Sequence, residues 1–238
     1  LRQEGFFARP PQPIVNEEEQ TISFPPWPLT RFLQRMASQE PALVAEIAAE
    51  IPMTDNTSVH LDLLETALAL PPELAGRLVP QLKHAVECSY QGLLFTHQLG
   101  KLLLHIAADP QNCTAGLELA RAAFALVPES EQAEEPTARP LRFSKPRTRM
   151  DLHEYERIVA STTKELASHF GVPTFEMFCD LLEEAISSEQ DRDDASDRED
   201  WSYIWCQDVE RCSGAHDVRS ALVSAVRDAA VCLLESGR

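Results

Sequence analysis

The sequence predicts an all-α chain, an irregular α-solenoid of antiparallel helix pairs. Trp27 to Ile51 and Asn56 to Val86 read as two copies of one unit, about 31 residues apart, within the spacing of helical solenoids. Leu33, Met36, Pro41, Leu43 and Ala45 of the first copy fall opposite Leu64, Ala67, Pro72, Leu74 and the Arg77–Leu78 pair of the second. Ala and Leu dominate and β-branched runs are missing, which favours helix over strand. Eight glycines in 238 residues leave few tight turns or hairpins.

Residues 1–28 hold six of the 17 prolines, which forbid a continuous helix. Gly5, Phe6, Phe7 and the run Ile22 to Trp27 are too apolar for a free linker. This segment is expected to lie extended on the first helices, anchored by Phe24 and Trp27.

Residues 29–127 form the repeat region. Its first helix follows Pro28, with Leu29, Phe32, Leu33 and Met36 at helical spacing. Pro41, at a first turn that loses no hydrogen bond to it, opens a second helix facing inward through Leu43, Val44, Ile47 and Ala48. Thr54, Asp55 and Asn56 supply cap chemistry for the next, whose inward residues are Val59, Leu61, Leu64, Ala67 and Leu68. Pro71 and Pro72 start another, with Pro80 inside it as a kink or split. A third pair runs from Leu93 to Ala108 (Leu99, Leu102, Leu103 and Ile106) and, after Asp109–Pro110, from Gly116 to Val127.

Residues 128–150 break the period. An acidic half precedes a basic half containing Arg142 and Arg147, read either as a solvated linker or as a segment docking by charge on the acidic C-terminal region. Residues 151–238 return to helix. Tyr155, Ile158, Val159, Thr162, Leu166 and Phe170 form one stripe, Gly171 is a stop, and Pro173 restarts the chain. A charged surface loop is expected from Glu189 to Asp200, and a long last helix from about Asp217.

The formal charge is −17: −6 over residues 1–127, +1 over 128–150 and −12 over 151–238. An acidic field repels phosphate backbones, so direct nucleic-acid binding is disfavoured. No apolar run is long enough to span a bilayer and no signal peptide is present, so no membrane association is expected. Six dispersed cysteines without a CxxC pair read as buried free thiols of a cytoplasmic protein. The start at Leu1 suggests a fragment of a longer chain.

Motifs for chemistry fail in turn. Gly100–Lys101 has Phe95 and Leu102 where a phosphate loop needs glycine and a hydroxyl. Aligned on Asp191, a calcium loop would need glycine at Ser196 and glutamate at Ser202. Cys206, Cys212 and His216 are spaced too irregularly for a zinc knuckle. His97 and His105 lie two helical turns apart, too distant to share a metal. No nucleophile, histidine and acid set stands out, so the expectation is a chain without enzymatic activity, cofactor or metal.

Trp201, Tyr203 and Trp205 are the most unusual local composition, in a chain with three Trp and three Tyr. They read either as a plug sealing the final helix pair or as an aromatic anchor for a protein partner. Beside Asp193 and Asp197 such an anchor suits a basic peptide.

The units around Phe32–Ile47 and Leu63–Leu82 resemble HEAT-type helical repeats. The strings Phe24 to Pro28, Pro52 to Asn56, and Tyr203 to Trp205 ahead of an Asp217-led helix resemble segments of large bacterial signal-transducing NTPases and defence sensors. In those proteins a nucleotide-binding or effector module precedes a helical scaffold; no such module is present in this sequence. The resemblance implies a non-catalytic scaffold of a larger bacterial protein, binding a protein partner or sensing a ligand. The alternatives are a small regulatory or enzymatic domain with its site at 191–205, and a plain structural spacer.

Overall fold

A computed structural model describes residues 4–16, 18–19, 21–88, 93–125, 152–196 and 208–237, with side chains left aside at 93–97, 152–154, 188–196 and 208–217. The described chain is mostly helical. It divides into two compact units, one running to Ala123, the other comprising Phe124 and the three C-terminal helices.

The first unit opens with a hairpin that the sequence reading did not include. β1 (Ile14–Asn16) pairs antiparallel with β2 (Thr21–Ser23), Val15 opposite Ile22. Branched side chains favour strand here, and the Asn16 side chain accepts from the amides of Glu18 and Glu19 to turn the chain. Trp27 is buried, with the buried Phe7 edge-on to its ring at 6.2 Å, whereas Phe24 is only half-buried.

Prolines then punctuate the helices. α1 (Pro28–Met36) and α2 (Pro41–Glu50) each begin on proline, where the missing N–H costs nothing. Asn56 caps α3 (Thr57–Ala69), accepting from the Ser58 amide at 2.9 Å. Pro72 opens α4 (Pro72–Ala75), which gives way to a tight 3₁₀ turn over Gly76–Leu78 before α5 (Val79–Glu87). Pro80 causes that split. It offers no N–H to the carbonyl of Gly76 four residues back, and its ring crowds that carbonyl. α6 (Leu93–Ala107) buries Leu99, Leu102, Leu103 and Ile106, and a 3₁₀ turn at Pro110–Asn112 leads into α7 (Cys113–Phe124).

α3 packs on both α1 and α6, while α2 packs on α1, α4 and the Gly76–Leu78 turn. Side chains of a later element repeatedly reach backbone carbonyls of an earlier one, at the ends of α2 and α3 and at the start of α4. Gln81 donates to the carbonyls of Ala49 and Ile51, His105 Nε2 to that of Leu70 at 2.8 Å, and Asn112 to that of Pro72 at 2.7 Å. These contacts span 30 to 40 residues of sequence, close to the repeat offset.

Two residues of the expected apolar patterns, Phe32 at helical spacing in α1 and Leu43 on the inward face of α2, prove exposed. Phe32 is 44% exposed and Leu43 is 47% exposed. α1 turns Thr30, Leu33 and Ala37 inward instead, because the Thr30 hydroxyl reaches the buried Asp62 carboxylate of α3 at 2.6 Å. In α2, Val44, Ala45, Ile47 and Ala48 fill the buried arc, leaving Leu43 to one side.

In the second unit α8 (Leu152–Phe170), α9 (Val172–Ser196) and α10 (Asp208–Ser236) pack pairwise. All six residues of the predicted α8 stripe are buried. Gly171, at φ +70°, turns the chain in the left-handed region that glycine enters without penalty. Phe124 stacks on Phe178 and meets Tyr155 edge-on, each at 5.9 Å, and the Tyr155 hydroxyl donates to the Phe124 carbonyl. Two boundaries differ from expectation. The acidic stretch continues α9 as helix to Ser196 instead of forming a loop, and α10 begins at Asp208, nine residues before Asp217. Charged residues are tolerable helix formers, so polarity alone does not end α9 across Glu189 to Ser196, a stretch without glycine or proline.

Candidate functional site

Of the predicted site residues, Trp201, Tyr203, Trp205, Asp197, Arg142 and Arg147 lie outside the described residues. Asp193 falls on the helical backbone of α9, with its side chain among those left aside.

The described surface offers a different feature. At the start of α1, Pro26, Pro28, Arg31, Phe32 and Arg35 line a recess of about 310 Å³. Arg31 and Arg35 stand one helical turn apart and flank Phe32, so the three project side by side. The fixed backbone of the two prolines makes one wall rigid. The Nε of Arg31 lies 3.6 Å from Asp62, a carboxylate already engaged by Thr30, which leaves most of the guanidinium in solvent. Among the described residues, the only charges lining the recess are these two arginines, in a chain with 38 acidic and 21 basic residues. An aromatic face between two guanidinium forks fits an apolar side chain next to a carboxylate.

The sequence missed this feature because Phe32 fits the apolar period of α1 as well as Leu33 does. The available signal was Arg31 and Arg35 on either side of it, since charges bracketing an aromatic mark the solvent side of a helix.

Between α8 and α10 lies a smaller hollow of about 240 Å³, walled mainly by Ala160, Ala221, Ala225, Ser220 and Ser224. Such small side chains let two helix backbones approach, which accounts for the hollow as packing.

A polar cluster occupies the seam between the proline-rich segment and α3. His60, 4% exposed, points Nε2 at the Thr54 carbonyl, so that nitrogen carries the proton. Its ring meets His84 edge-on at 5.9 Å, and His84 Nε2 lies 3.0 Å from Asp55 Oδ1. Burial pushes the His60 pKa below the ordinary 6.5 and His84 adds to this, against opposing effects of the Thr54 bond and Asp55. Burial raises the thiol pKa of Cys113, and that of Cys179, where Asp180, Glu183 and Glu176 add to it. Both are thereby held as thiols, the less nucleophilic form. Among the described residues no three His, Cys, Asp or Glu side chains are grouped to hold a metal ion, and no helix is long and apolar enough to cross a membrane.

Compared with protein-family models, curated proteins and solved structures, the chain matches none.

Proposed function

We propose that this chain is a non-catalytic helical-repeat scaffold that binds a protein partner through the α1 recess, as part of a larger protein. On this reading the contacts of α3 with α1 and α6 reflect a row of first helices, and α2 with α4 a row of second helices, in a HEAT-like stack. The observation that carries the proposal is Phe32, a large apolar side chain held 44% exposed between two arginines on an acidic chain. Aromatic and arginine side chains together are the usual composition of interface hot spots. The partner is a segment carrying Asp or Glu beside an apolar side chain, since these satisfy the guanidinium groups and cover Phe32.

Panning a displayed library of random dodecapeptides against the whole chain tests this. Selected sequences are expected to be enriched in an acidic residue next to a large apolar one. Phe32→Ala combined with Arg35→Glu should weaken their binding by about 30-fold or more, the equivalent of one hot spot of roughly 2 kcal/mol. Recovery of basic peptides, or equal binding by the double variant, would refute the reading.

A further inference from the structure

The His60 cluster sits where the proline-rich segment is fastened. The loop that His60 supports, residues 51–56, carries the fasteners. Thr54 Oγ1 donates to the Pro11 carbonyl at 2.9 Å, and Asn56 Nδ2 donates to the carbonyls of Pro11 at 3.2 Å and Pro25 at 2.8 Å. Ser58 adds a bond to the Phe24 carbonyl at 3.0 Å. The same Thr54 accepts the His60 ring proton at its own carbonyl and receives the Asn56 amide at its hydroxyl. One imidazole therefore braces the residue that holds both Pro11 and the helix cap.

We propose that His60 is an acid-operated latch: neutral, it keeps the 51–56 loop in the shape that clamps the proline-rich segment, and protonated, it lets that segment go. A second ring proton would place a positive charge in a nearly water-free site, facing the His84 ring of α5. The charges acting on the ring are Asp55, from the loop, and His84, from α5. Asp55 is turned toward His84, its Oδ1 3.0 Å from His84 Nε2, and its effect on the His60 ring opposes burial without outweighing it. The proline-rich segment meets the loop through the backbone carbonyls of Pro11 and Pro25 and the side-chain oxygen of Gln12, none of them charged.

The sign follows from linkage. The clamped form holds fewer protons than the released form between the lowered His60 pKa and 6.5. Above 6.5 the clamp is at full strength. Below it, release grows by up to about tenfold per pH unit, the limit for one proton.

Hydrogen exchange on the full chain, corrected for intrinsic rates, measures this at the hairpin amides and at Ala8 between pH 7.5 and 5.5. Protection there should fall with pH in the wild type, while amides of α8 hold steady. His60→Gln keeps a donor for the Thr54 carbonyl but cannot titrate, so its profile should be flat. A wild-type profile that is flat, or a His60→Gln profile as steep as the wild type, overturns the proposal. Should His60→Gln fail to fold, ring-proton NMR of the wild type decides the matter. A His60 midpoint below 6.5, together with hairpin protection that falls between pH 6.5 and that midpoint, supports the latch; a midpoint at or above 6.5, or protection unchanged across that window, overturns it.

Discussion

Gly76→Ala provides a severe test of how the first unit is assembled. Gly76 has ordinary right-handed helical dihedrals, φ −56° and ψ −24°, so its backbone would accept any residue. Gly76 is glycine for a reason of space. A Cβ there would lie 2.2 Å from Asn112 Oδ1 and 2.6 Å from Asn112 Cγ. Asn112 is a short side chain, buried and tied down by bonds from Nδ2 to the carbonyls of Pro72 and Ile106 at 2.7 and 3.1 Å. It cannot step aside without breaking them. Two net hydrogen bonds at about 0.5–1.5 kcal/mol each set the loss at roughly 1–3 kcal/mol. Replacing glycine by alanine in a compatible backbone returns about 0.4–1 kcal/mol through the unfolded chain. Gly76→Ala should therefore destabilise by up to about 2.6 kcal/mol, and Asn112→Ala by about 1–3 kcal/mol.

The decisive variant carries both changes. With Asn112 cut back the clash disappears, so the pair should be more stable than Asn112→Ala alone by about 0.4–1 kcal/mol. Urea unfolding followed by Trp27 fluorescence, in a background with Trp201→Phe and Trp205→Phe, reads the first unit separately. Additive destabilisation by the two substitutions would show that Gly76 and Asn112 do not share the contact, and would refute the reasoning.

Two further outcomes follow from single side chains. Asn56→Asp preserves the α3 cap acceptor but sets a carboxylate against the carbonyls of Pro11 and Pro25. It should cost about 1–3 kcal/mol in urea unfolding although Asp caps as well as Asn, and a cost near zero would mean that Asn56 serves only as a cap. Tyr155→Phe removes the bond to the Phe124 carbonyl and should cost about 0.5–1.5 kcal/mol at neutral pH. Burial pushes the Tyr155 pKa above the ordinary 10, so its contribution is complete below pH 10 and is lost as pH rises through the folded value. The alkaline fall in stability of the second unit should accordingly be shallower in Tyr155→Phe, and unchanged steepness would count against the buried hydroxyl.

Helix starts were legible in the sequence because the signals are local. Pro28, Pro41 and Pro72 fix φ at a first turn, Asn56 caps through its own side chain, and Gly171 supplies the left-handed stop. The α8 stripe was legible in full, since nineteen residues give the 3.6-residue period room to declare itself. The face of α1 was not. With nine residues, two adjacent apolar side chains and a threonine, its rotation depends on whether Thr30 finds Asp62, thirty-two positions away. The same dependence hid the α1 recess, and the predicted aromatic site falls beyond the described residues.

The sequence by itself determined that the chain would be helical and where most helices begin, because φ restriction, capping and apolar period act within one or two turns. Tertiary structure alone decided which side of α1 meets water, why residue 76 must lack a Cβ, and that His60 is sealed beneath the loop that clamps the proline-rich segment. Each of these rests on partners brought together by packing. In the clamp, fasteners at 54–58 meet carbonyls of Pro11, Phe24 and Pro25, 31 to 45 residues away.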